Sequence, residues 1–495
     1  MIFQHRAATV RKWTTATEEV QRDQLHRLLR QGRKTLFGAD HGFGSINTYE
    51  DFASKVPVRE YEAFRSYIMR MVGGEADILW PGVTRRFAQS SGTSGGKSKY
   101  IPVTDTSLRL NHYAGSRDVV AHYLNIYRHS KLFGGKALIL GGSFANELKL
   151  PEGVKVGDLS ASLIDAMPSA AASFRVPDKK IALMYDWAEK LPALIEASIK
   201  EDITNLSGVP SWFLTVLKGV LAHTGAATIH EVWPNLEVFF HGGISFLPYK
   251  EEYARITDPS KMRYIETYNA SEGFFATQCE IDDDSMLLLL DIGIFYEFIP
   301  VEQLDSPDPE ILPAWQLEQG HTYAMVITSC NGLWRYMIGD TVTVEHVNPL
   351  KITIAGRTKN YINVFGEELM VHNAEAAIER ACQQHGCTVV DYTAGPVYAT
   401  ETTRGRHEWW IEWGTPPDDI DAFALMLDKC LQDENSDYQA KRSGGIFLDC
   451  LTIKTAPPGL FDQWLGSTGK LGGQRKIPRL LNDRHLLDFL NQHSK

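Results

Sequence analysis

Apolar and polar residues follow helix-like and strand-like spacings in turn along this chain. Leucines and charged residues alternate with a helical period over residues 16–35, and residues 47–50 offer a cap for a second helical pattern. Residues 105–128 predict a longer helix with a continuous apolar stripe. Short apolar runs predict strands at 137–140, 236–240, 287–290 and 323–328. Helices and strands in this alternation predict a mixed α/β architecture.

A smaller group of elements follows residue 356. The pattern there predicts a helix near 373–385, strands at 388–392 and 408–413, a helix at 418–432 and a basic, glycine-rich tail around 466–479. We therefore expect a domain hinge near residues 350–360.

The composition is that of a globular protein and narrows the function classes. The chain has 495 residues, enough for two or three domains, with 43% hydrophobic and 22% charged residues. A net charge of −11 argues against nucleic-acid binding, which needs a positive field. We see no apolar run long enough to span a membrane and no secretory signal. The six scattered cysteines lack zinc-type spacing, so we expect reduced thiols in a cytoplasmic protein.

Residues 90–99, SSGTSGGKSK, form a loop suited to holding phosphate. Its hydroxyl groups and backbone N–H groups can surround an anion, its glycines allow close backbone approach, and its lysines add positive charge. The expected phosphate contacts are Ser90, Ser91, Gly92, Thr93 and Ser94. The spacing excludes a Walker phosphate loop, which needs four residues between its first glycine and the Gly-Lys pair. A flexible linker is the alternative, because glycine and serine are also linker residues.

This loop resembles the SSGTSxGxxK loop of the plant auxin- and jasmonate-conjugating acyl acid amido synthetases of the Gretchen Hagen type. These enzymes belong to the adenylate-forming superfamily, together with acyl-CoA synthetases, luciferases and non-ribosomal adenylation domains. The final lysine of the family pattern falls on Lys99. Further segments resemble other motifs of the superfamily in the order in which that superfamily carries them.

Residues 240–245, FHGGIS, resemble the segment that lies against the adenine ring. The resemblance implies that Gly242, Gly243 and Ile244 contact the base. An ordinary turn after a strand is the alternative.

Residues 268–273, YNASEG, resemble the Tyr-x-x-Ser-Glu motif. The resemblance implies that Ser271 binds the α-phosphate and that Glu272 holds Mg²⁺, beside Tyr268 and Asn269. Many superfamily members have glycine where this chain has Asn269. A helix N-terminus with Ser271 as its cap is the structural alternative.

Residues 332–340, GLWRYMIGD, resemble the Tyr-Arg-x-Gly-Asp segment, whose aspartate binds both ribose hydroxyls. Asp340 is therefore expected to bind the ribose, since a carboxylate can grip a vicinal diol. A simple turn is the alternative for the Gly-Asp pair. Plant members often have arginine in place of Met337.

The last two segments resemble the hinge and the closing motif. Residues 356–369 resemble the superfamily's hinge segment, which implies that Arg357 contacts the nucleotide. Residues 474–479, QRKIPR, resemble the closing Gln-x-Lys-x-Pro-Arg motif. Lys476 takes the place of the mobile catalytic lysine.

The acyl pocket is less visible in the sequence. The helix after the glycine–serine loop is expected to line part of it with His112, Tyr113 and Val120, and the turn at Ser143 to line another part. A buried structural histidine is the alternative for His112.

The resemblance implies a two-domain ligase that uses ATP and Mg²⁺. Residues 1–355 would form a large mixed α/β adenylate-forming domain, with sheets flanked by helices and a β-barrel-like part. Residues 356–495 would form a small mobile α+β domain. The implied enzyme activates a carboxylic acid as its acyl-adenylate and transfers the acyl group to an amine, with an amino acid as the expected amine. An acyl-CoA synthetase and a catalytically silent nucleotide-binding protein are the alternatives. Nothing in the sequence indicates the oligomeric state.

Overall fold

A computed structural model describes most of the chain. It leaves out residues 1–5, 7–9, 11–12, 14, 91–98, 145, 147, 244–245, 247–248, 305, 358–360, 363–366, 368, 398–404, 436–437, 440–441, 443–447, 469–476, 482 and 495, and the side chains of residues 90, 187, 211, 357 and 361.

The chain divides into two compact units. The first unit consists of Met1–Val209, Val216–Gly243 and Pro259–Thr353, and the second consists of Pro210–Thr215, Ile244–Asp258 and Ile354–Lys495. Two short stretches of the second unit thus precede the division at residues 355 and 356 that the sequence predicts.

The described strands are numbered here in chain order. They are β1 (Arg86–Ser90), β2 (Lys99–Pro102), β3 (Lys136–Ile139), β4 (Lys155–Gly157), β5 (Arg175–Val176), β6 (Ile203–Gly208), β7 (Val238–Gly242), β8 (Arg263–Ala270), β9 (Gly273–Gln278), β10 (Met286–Leu288), β11 (Ile294–Pro300), β12 (Leu312–Pro313), β13 (Thr322–Ser329), β14 (Tyr336–Val347), β15 (Leu350–Arg357), β16 (Tyr361–Ile362), β17 (Leu369–Met370), β18 (Thr388–Val397), β19 (Arg406–Thr415) and β20 (Thr452–Thr455).

A 12-stranded sheet with the order β12-β11-β13-β14-β15-β10-β9-β8-β7-β6-β3-β5 contains most of these strands. Strands β5, β3, β6, β7 and β8 are parallel, and β8 begins a run of antiparallel pairs through β9 and β10 to β15. Strands β2, β1 and β4 form a separate three-stranded sheet. Strands β9, β10 and β11 are buried throughout, as expected where both faces of a sheet are covered.

Helices alternate with these strands along the chain. The described α-helices up to residue 256 are Thr17–Gly32, Leu36–Asp40, Tyr49–Lys55, Tyr61–Val72, Asp105–Ser107, Tyr113–Ile126, Leu159–Asp165, Ser169–Ala172, Lys179–Ala182, Trp187–Ser198, Pro210–Thr224, Ile229–Val232 and Lys250–Ile256. The helix at Tyr49 begins where residues 47–50 predict a cap. The Thr48 hydroxyl accepts from the N–H of Asp51, and the Asp51 carboxylate accepts from the N–H of Thr48.

The second unit has its own small sheet and its own core. Strand β18 pairs antiparallel with β19, which pairs parallel with β20. The helices that the structure describes beside this sheet are Val371–His385, Ile420–Glu434, Leu460–Ser467 and His485–His493. Buried residues such as Ile378, Trp409 and Leu427 form an apolar cluster there, as expected for a unit that packs around its own centre.

The prediction of a mixed α/β fold with a smaller α+β part is confirmed. The apolar runs at 236–240, 287–290 and 323–328 correspond to β7, β10 and β13, with ends that differ by a few residues. Among the helices that the structure describes, none combines the length and the apolar character needed to cross a membrane.

Candidate functional site

Several of the predicted site residues follow the carboxyl ends of neighbouring parallel strands. Strand β7 ends at Gly242, β8 ends just before Ser271 and Glu272, and the turn that contains Ser143 follows β3. In open α/β sheets, ligands bind outside this edge, because the loops that leave it lie side by side. The sheet topology therefore places three of the predicted segments at one edge.

Ser271 and Glu272 form the two-residue connection of a β-hairpin. Ala270 at the end of β8 pairs with Gly273 at the start of β9. The helix N-terminus that the sequence left open for Ser271 is therefore wrong: apolar residues after Gly273 continue as a buried strand. Glu272 is buried in this turn, with 8% relative exposure for the residue.

Asp340 lies in strand β14 at a point where the strand is irregular. Ala324 pairs with Thr341 and Val326 pairs with Met337, so two steps along β13 match four along β14. Gly339 has a φ of +92°, which glycine adopts without strain. Bulges of this kind re-aim side chains and are common beside active sites. The simple turn considered as an alternative is not what the Gly-Asp pair forms.

Two tyrosine hydroxyls connect these segments. Tyr268 in β8 donates a 2.6 Å hydrogen bond to Oδ2 of Asp340, and Tyr336 in β14 lies 3.5 Å from Oε1 of Glu272. Strands β8 and β14 are four places apart in the sheet order, which would separate them by about 19 Å in a flat sheet. The sheet must therefore curl strongly here, as the expected barrel-like part requires. The curl brings Glu272 and Asp340 to the same region.

A hydrogen bond to its backbone also holds Glu272 in place. The side-chain amide of Asn331, in the turn between β13 and β14, donates to the Glu272 carbonyl oxygen at 3.0 Å. The Ser329 hydroxyl donates to the Asn331 side-chain oxygen at 2.5 Å and orients that amide. The motif analysis missed Asn331, although it directly precedes the quoted Gly332–Asp340 segment.

His112 lies at the end of a π-helical turn, Leu108–His112, that leads into the helix Tyr113–Ile126. Such turns are often found at functional sites. The neighbouring Asn111 fixes this turn to the hairpin: its amide donates to the carbonyls of Phe274 and Ile292 at 3.0 and 3.1 Å.

The imidazole of His112 is buried beside Asn269. Burial lowers the pKa of His112 to about 4, and the Asn269 side chain offsets part of this effect. Within the described part of the chain, neither His112 Nδ1 nor Asn269 Oδ1 has a well-aligned hydrogen-bond partner. His112 is therefore a neutral imidazole at pH 7, close to the Tyr268–Glu272 segment.

Tyr113 and Val120 lie on the helix that follows. The Tyr113 hydroxyl donates to the Leu163 carbonyl at 2.8 Å, and burial raises the pKa of this phenol to about 12. Val120 is half-buried and packs against the main apolar cluster.

The turn at Ser143 is held rigidly. The Ser143 N–H donates to Asp158 Oδ2 at 2.8 Å, and the Gly142 N–H donates to the Ser160 hydroxyl at 2.9 Å. A Cβ at Gly142 would lie 2.0 Å from Asp158 Oδ2, so the close approach needs glycine.

Lys190 also supports this turn, and sequence reasoning missed it. Its ammonium group donates to the Gly141 carbonyl, and the residue is buried, at 3% exposure. Burial lowers the pKa of Lys190 to about 8, and the charge of Asp158 acts in the opposite direction. A single lysine in an amphipathic helix gives no signal that its head is buried.

The glycine–serine loop joins two paired strands. Ser90 at the end of β1 pairs with Lys99 at the start of β2, and the Lys99 ammonium lies 5.8 Å from the centre of the Tyr61 ring. Ser91, Gly92, Thr93 and Ser94 lie outside the described residues, as do Ile244 and Lys476. The side chain of Ser90 and that of Arg357, the last residue of β15, are also outside the described part.

Arg335 is a third residue to which the sequence analysis assigned no role. It pairs with Glu297, a lone carboxylate in the apolar strand β11, and both side chains are almost fully buried. A charged residue inside an apolar strand needs a buried partner, and that was the available signal.

Comparison with known proteins identifies relatives over nearly the whole chain. Indole-3-acetic acid-amido synthetase GH3.8 of Oryza sativa subsp. indica is 22% identical over 97% of this chain and 90% of its own length. Indole-3-acetic acid-amido synthetase GH3.15 of Arabidopsis thaliana is 23% identical over 96% of this chain and 92% of its own length.

Solved structures share the fold. The GH3.15 acyl acid amido synthetase has a TM-score of 0.80 at 20% identity, covering 99% of this chain and 95% of its own. The 2-hydroxyisobutyryl-CoA ligase, in the postadenylation state with 2-HIB-AMP, has a TM-score of 0.60 at 13% identity, covering 96% of this chain and 90% of its own.

Family models match three parts of the chain: the GH3 family N-terminal domain matches residues 6–175, its central domain residues 287–357 and its C-terminal domain residues 372–485. The resemblance read from the motifs is thereby confirmed, and the chain belongs to the GH3 family.

Proposed function

We propose that this chain is an ATP-dependent acyl acid amido synthetase. It activates a carboxylic acid as its acyl-adenylate with release of pyrophosphate. It then transfers the acyl group to an amine with release of AMP, and an amino acid is the expected amine. The observation that carries this proposal is the pair of tyrosine contacts that brings Glu272 and Asp340 together in a chain of the GH3 family. The full-length relatives named as amido synthetases support the amide-forming step.

The nucleotide is assigned to the edge of the large sheet. Asp340 accepts hydrogen bonds from the ribose hydroxyls. A carboxylate has about four acceptor sites, and the hydrogen bond from Tyr268 uses only one of them, so sites remain for the ribose. Gly242, Gly243 and Ile244 lie against the adenine. A Cβ at Gly242 would lie 2.2 Å from the Thr267 carbonyl, so glycine lets β7 pack closely against β8 where the base would bind.

The phosphates are assigned to the glycine–serine loop and to the hairpin turn. Ser90, Ser91, Gly92, Thr93 and Ser94 hold the triphosphate, and Ser271 holds the α-phosphate. Glu272 is the protein ligand for Mg²⁺. Its carboxylate is a hard oxygen donor of the kind that Mg²⁺ prefers, and one or two carboxylates plus phosphates commonly suffice for this ion. When bound, Mg²⁺ supplies Lewis-acid stabilisation of phosphate charge.

The first step joins two anions, a carboxylate and the α-phosphate. Positive charge must be in place before they meet, since preorganised electrostatic groups supply much of such catalysis. Lys476, Lys99 and Arg357 supply it. The substrate carboxylate attacks the α-phosphorus, and pyrophosphate leaves.

The second step needs correct placement of the amine more than a strong base, because AMP is a good leaving group.

Four residues are assigned to the acyl side of the pocket: His112, Tyr113, Val120 and Ser143. The neutral His112 imidazole can exchange hydrogen bonds there without adding a charge beside the incoming carboxylate.

A product-resolved assay tests the proposal. The protein is incubated with ATP, Mg²⁺ and a panel of carboxylic acids, with either amino acids or CoA, and pyrophosphate and acyl products are measured. Acid-dependent pyrophosphate release together with amide products is the expected result. The variant Asp340→Asn is tested in the same assay. Its loss of turnover would assign the activity to this site.

Other outcomes separate the alternatives. Thioester products with CoA, and no amides, would identify an acyl-CoA synthetase. Nucleotide binding without turnover of any acid would identify a silent nucleotide-binding protein. Either result contradicts the proposed amide synthesis.

A further inference from the structure

A buried ion pair lies behind the start of strand β14. The Arg335 guanidinium meets the Glu297 carboxylate through Nε at 3.0 and 3.1 Å and through Nη2 at 2.8 Å. The two side chains are 3% and 0% exposed. The Tyr49 hydroxyl donates to the same carboxylate at 2.9 Å. Buried charges are tolerated only when paired and hydrogen-bonded, as they are here.

The second terminal nitrogen of Arg335 caps a helix. Nη1 donates to the carbonyls of Ala53 and Val56 at 2.9 and 2.7 Å. These carbonyls lie at the end of the helix Tyr49–Lys55, where the last backbone oxygens lack partners within the helix. One guanidinium therefore connects β11, this helix end and β14.

The backbone of Arg335 is held as tightly as its side chain. Its φ of +48° is uncommon for a residue other than glycine and is maintained by its surroundings. Its N–H donates to the Thr328 hydroxyl at 2.9 Å, and its carbonyl accepts from the N–H of Arg59 at 3.0 Å. The Met337 N–H returns a 2.9 Å hydrogen bond to the Arg59 carbonyl.

These contacts fix the strand that carries two candidate site contacts. The residue after Arg335 is Tyr336, which reaches Glu272, and Asp340 follows four residues later in β14. A change in the path of the chain at Arg335 would move both groups. No part of the Arg335 side chain is needed at the nucleotide for this effect.

We propose that Arg335 is a positioning residue for the nucleotide site. Through Glu297 and the helix end at Val56 it sets the start of β14, and thereby the placement of Tyr336 and Asp340. This inference rests on the proposed function, because it assigns the nucleotide to Asp340. A purely structural ion pair would stabilise the fold and leave nucleotide affinity unchanged once the protein is folded.

Two variants separate these roles. Arg335→Lys keeps one charge but loses the planar fork that joins the carboxylate to two carbonyls. The double variant Arg335→Met with Glu297→Gln removes both charges and leaves no unpaired buried ion, so it should fold if the lysine variant does not. The matched control is Arg442→Lys in the second unit, where Arg442 pairs with Asp428 at 2.8 Å and donates to the Leu448 carbonyl.

The measurements are AMP affinity by titration calorimetry, the thermal midpoint, and KM for ATP with kcat. We expect about tenfold weaker AMP binding and a similar rise in KM for the Arg335 variants, with kcat changed less. Arg442→Lys should lower the midpoint without changing AMP affinity. Wild-type AMP affinity in folded Arg335 variants would overturn the inference alone. A wild-type protein that binds no AMP would overturn the proposed nucleotide site and the inference with it.

Discussion

The hydroxyl of Tyr268 donates a 2.6 Å hydrogen bond to Oδ2 of Asp340, and both side chains are buried. The two residues are 72 positions apart in the chain and belong to different motifs. The phenol fixes the orientation of a carboxylate assigned to the ribose, and it lies four strands away in the sheet order. This single contact records the curl of the sheet that the candidate site depends on.

Tyr268→Phe should weaken nucleotide binding with little loss of fold. The substitution removes only the hydroxyl, and a hydrogen bond to a charged group contributes about 1.5–3 kcal/mol. Part of that free energy orients Asp340, so we expect KM for ATP to rise about tenfold, the equivalent of about 1.4 kcal/mol. The measurement is KM for ATP in acid-dependent pyrophosphate release.

Tyr323→Phe is the control for that variant. Tyr323 is also buried, in β13 next to β14, and its hydroxyl accepts from the N–H of Glu318 at 3.2 Å. Its loss should affect stability without changing KM. Equal KM values for both variants and the wild-type chain would contradict the role given to Tyr268.

The backbone at Gly339 gives a second prediction. Alanine at a φ of +92° costs about 1–3 kcal/mol in backbone strain, and relief of that strain would shift the bulge that presents Asp340. Gly339→Ala should therefore lower the thermal midpoint and raise KM for ATP. Gly320→Ala is a close match, because Gly320 has a φ of +82° and its Cβ would enter open space.

The two glycine variants should lose similar stability and differ in nucleotide affinity. Differential scanning fluorimetry gives the midpoints, and the pyrophosphate assay gives KM. If Gly339→Ala and Gly320→Ala lose stability alike and both keep the wild-type KM, the bulge does not position Asp340.

Local sequence signals predicted the helix cap at Thr48 and the strands around the motifs. Those features depend on residues a few positions apart. At Ser271 the sequence offered a helix cap as the structural alternative, and the hairpin was not predicted, because it depends on the pairing of β8 with β9. The Arg335–Glu297 ion pair was not predicted from the sequence for the same reason: its members are 38 residues apart, and no periodicity links them.

Lys476→Ala should slow adenylate formation about 10²-fold, the size of effect seen when one preorganised electrostatic contact is lost. Lys476 itself is outside the described residues, but the chain just after it is anchored. The Thr393 hydroxyl donates to the Pro478 carbonyl at 2.6 Å, and the Ala394 N–H donates to the Arg479 carbonyl at 2.9 Å. Pyrophosphate exchange measures the first step directly.

Lys454→Ala is the matched control in the same unit. Its ammonium lies 3.2 Å from Glu408 and is 42% exposed, so its loss should leave exchange unchanged. Exchange at the wild-type rate in Lys476→Ala would refute the role of that lysine.

Three buried histidines should contribute a loss of stability as the pH is lowered from about 6.5 towards 4. Burial lowers the pKa of His112 to about 4, that of His122 also to about 4 and that of His241 to about 3. The unfolded chain binds protons on these imidazoles near pH 6.5, whereas the folded chain resists protonation until about pH 4. Lowering the pH through this window therefore favours the unfolded state, by up to about 1.4 kcal/mol per pH unit for each histidine.

His112→Gln should flatten the dependence of the thermal midpoint on pH, because it removes one of the three groups. His321→Gln, at a side chain that is 54% exposed, should leave the dependence as it is. An unchanged slope in His112→Gln would mean that His112 is not held neutral in the folded protein.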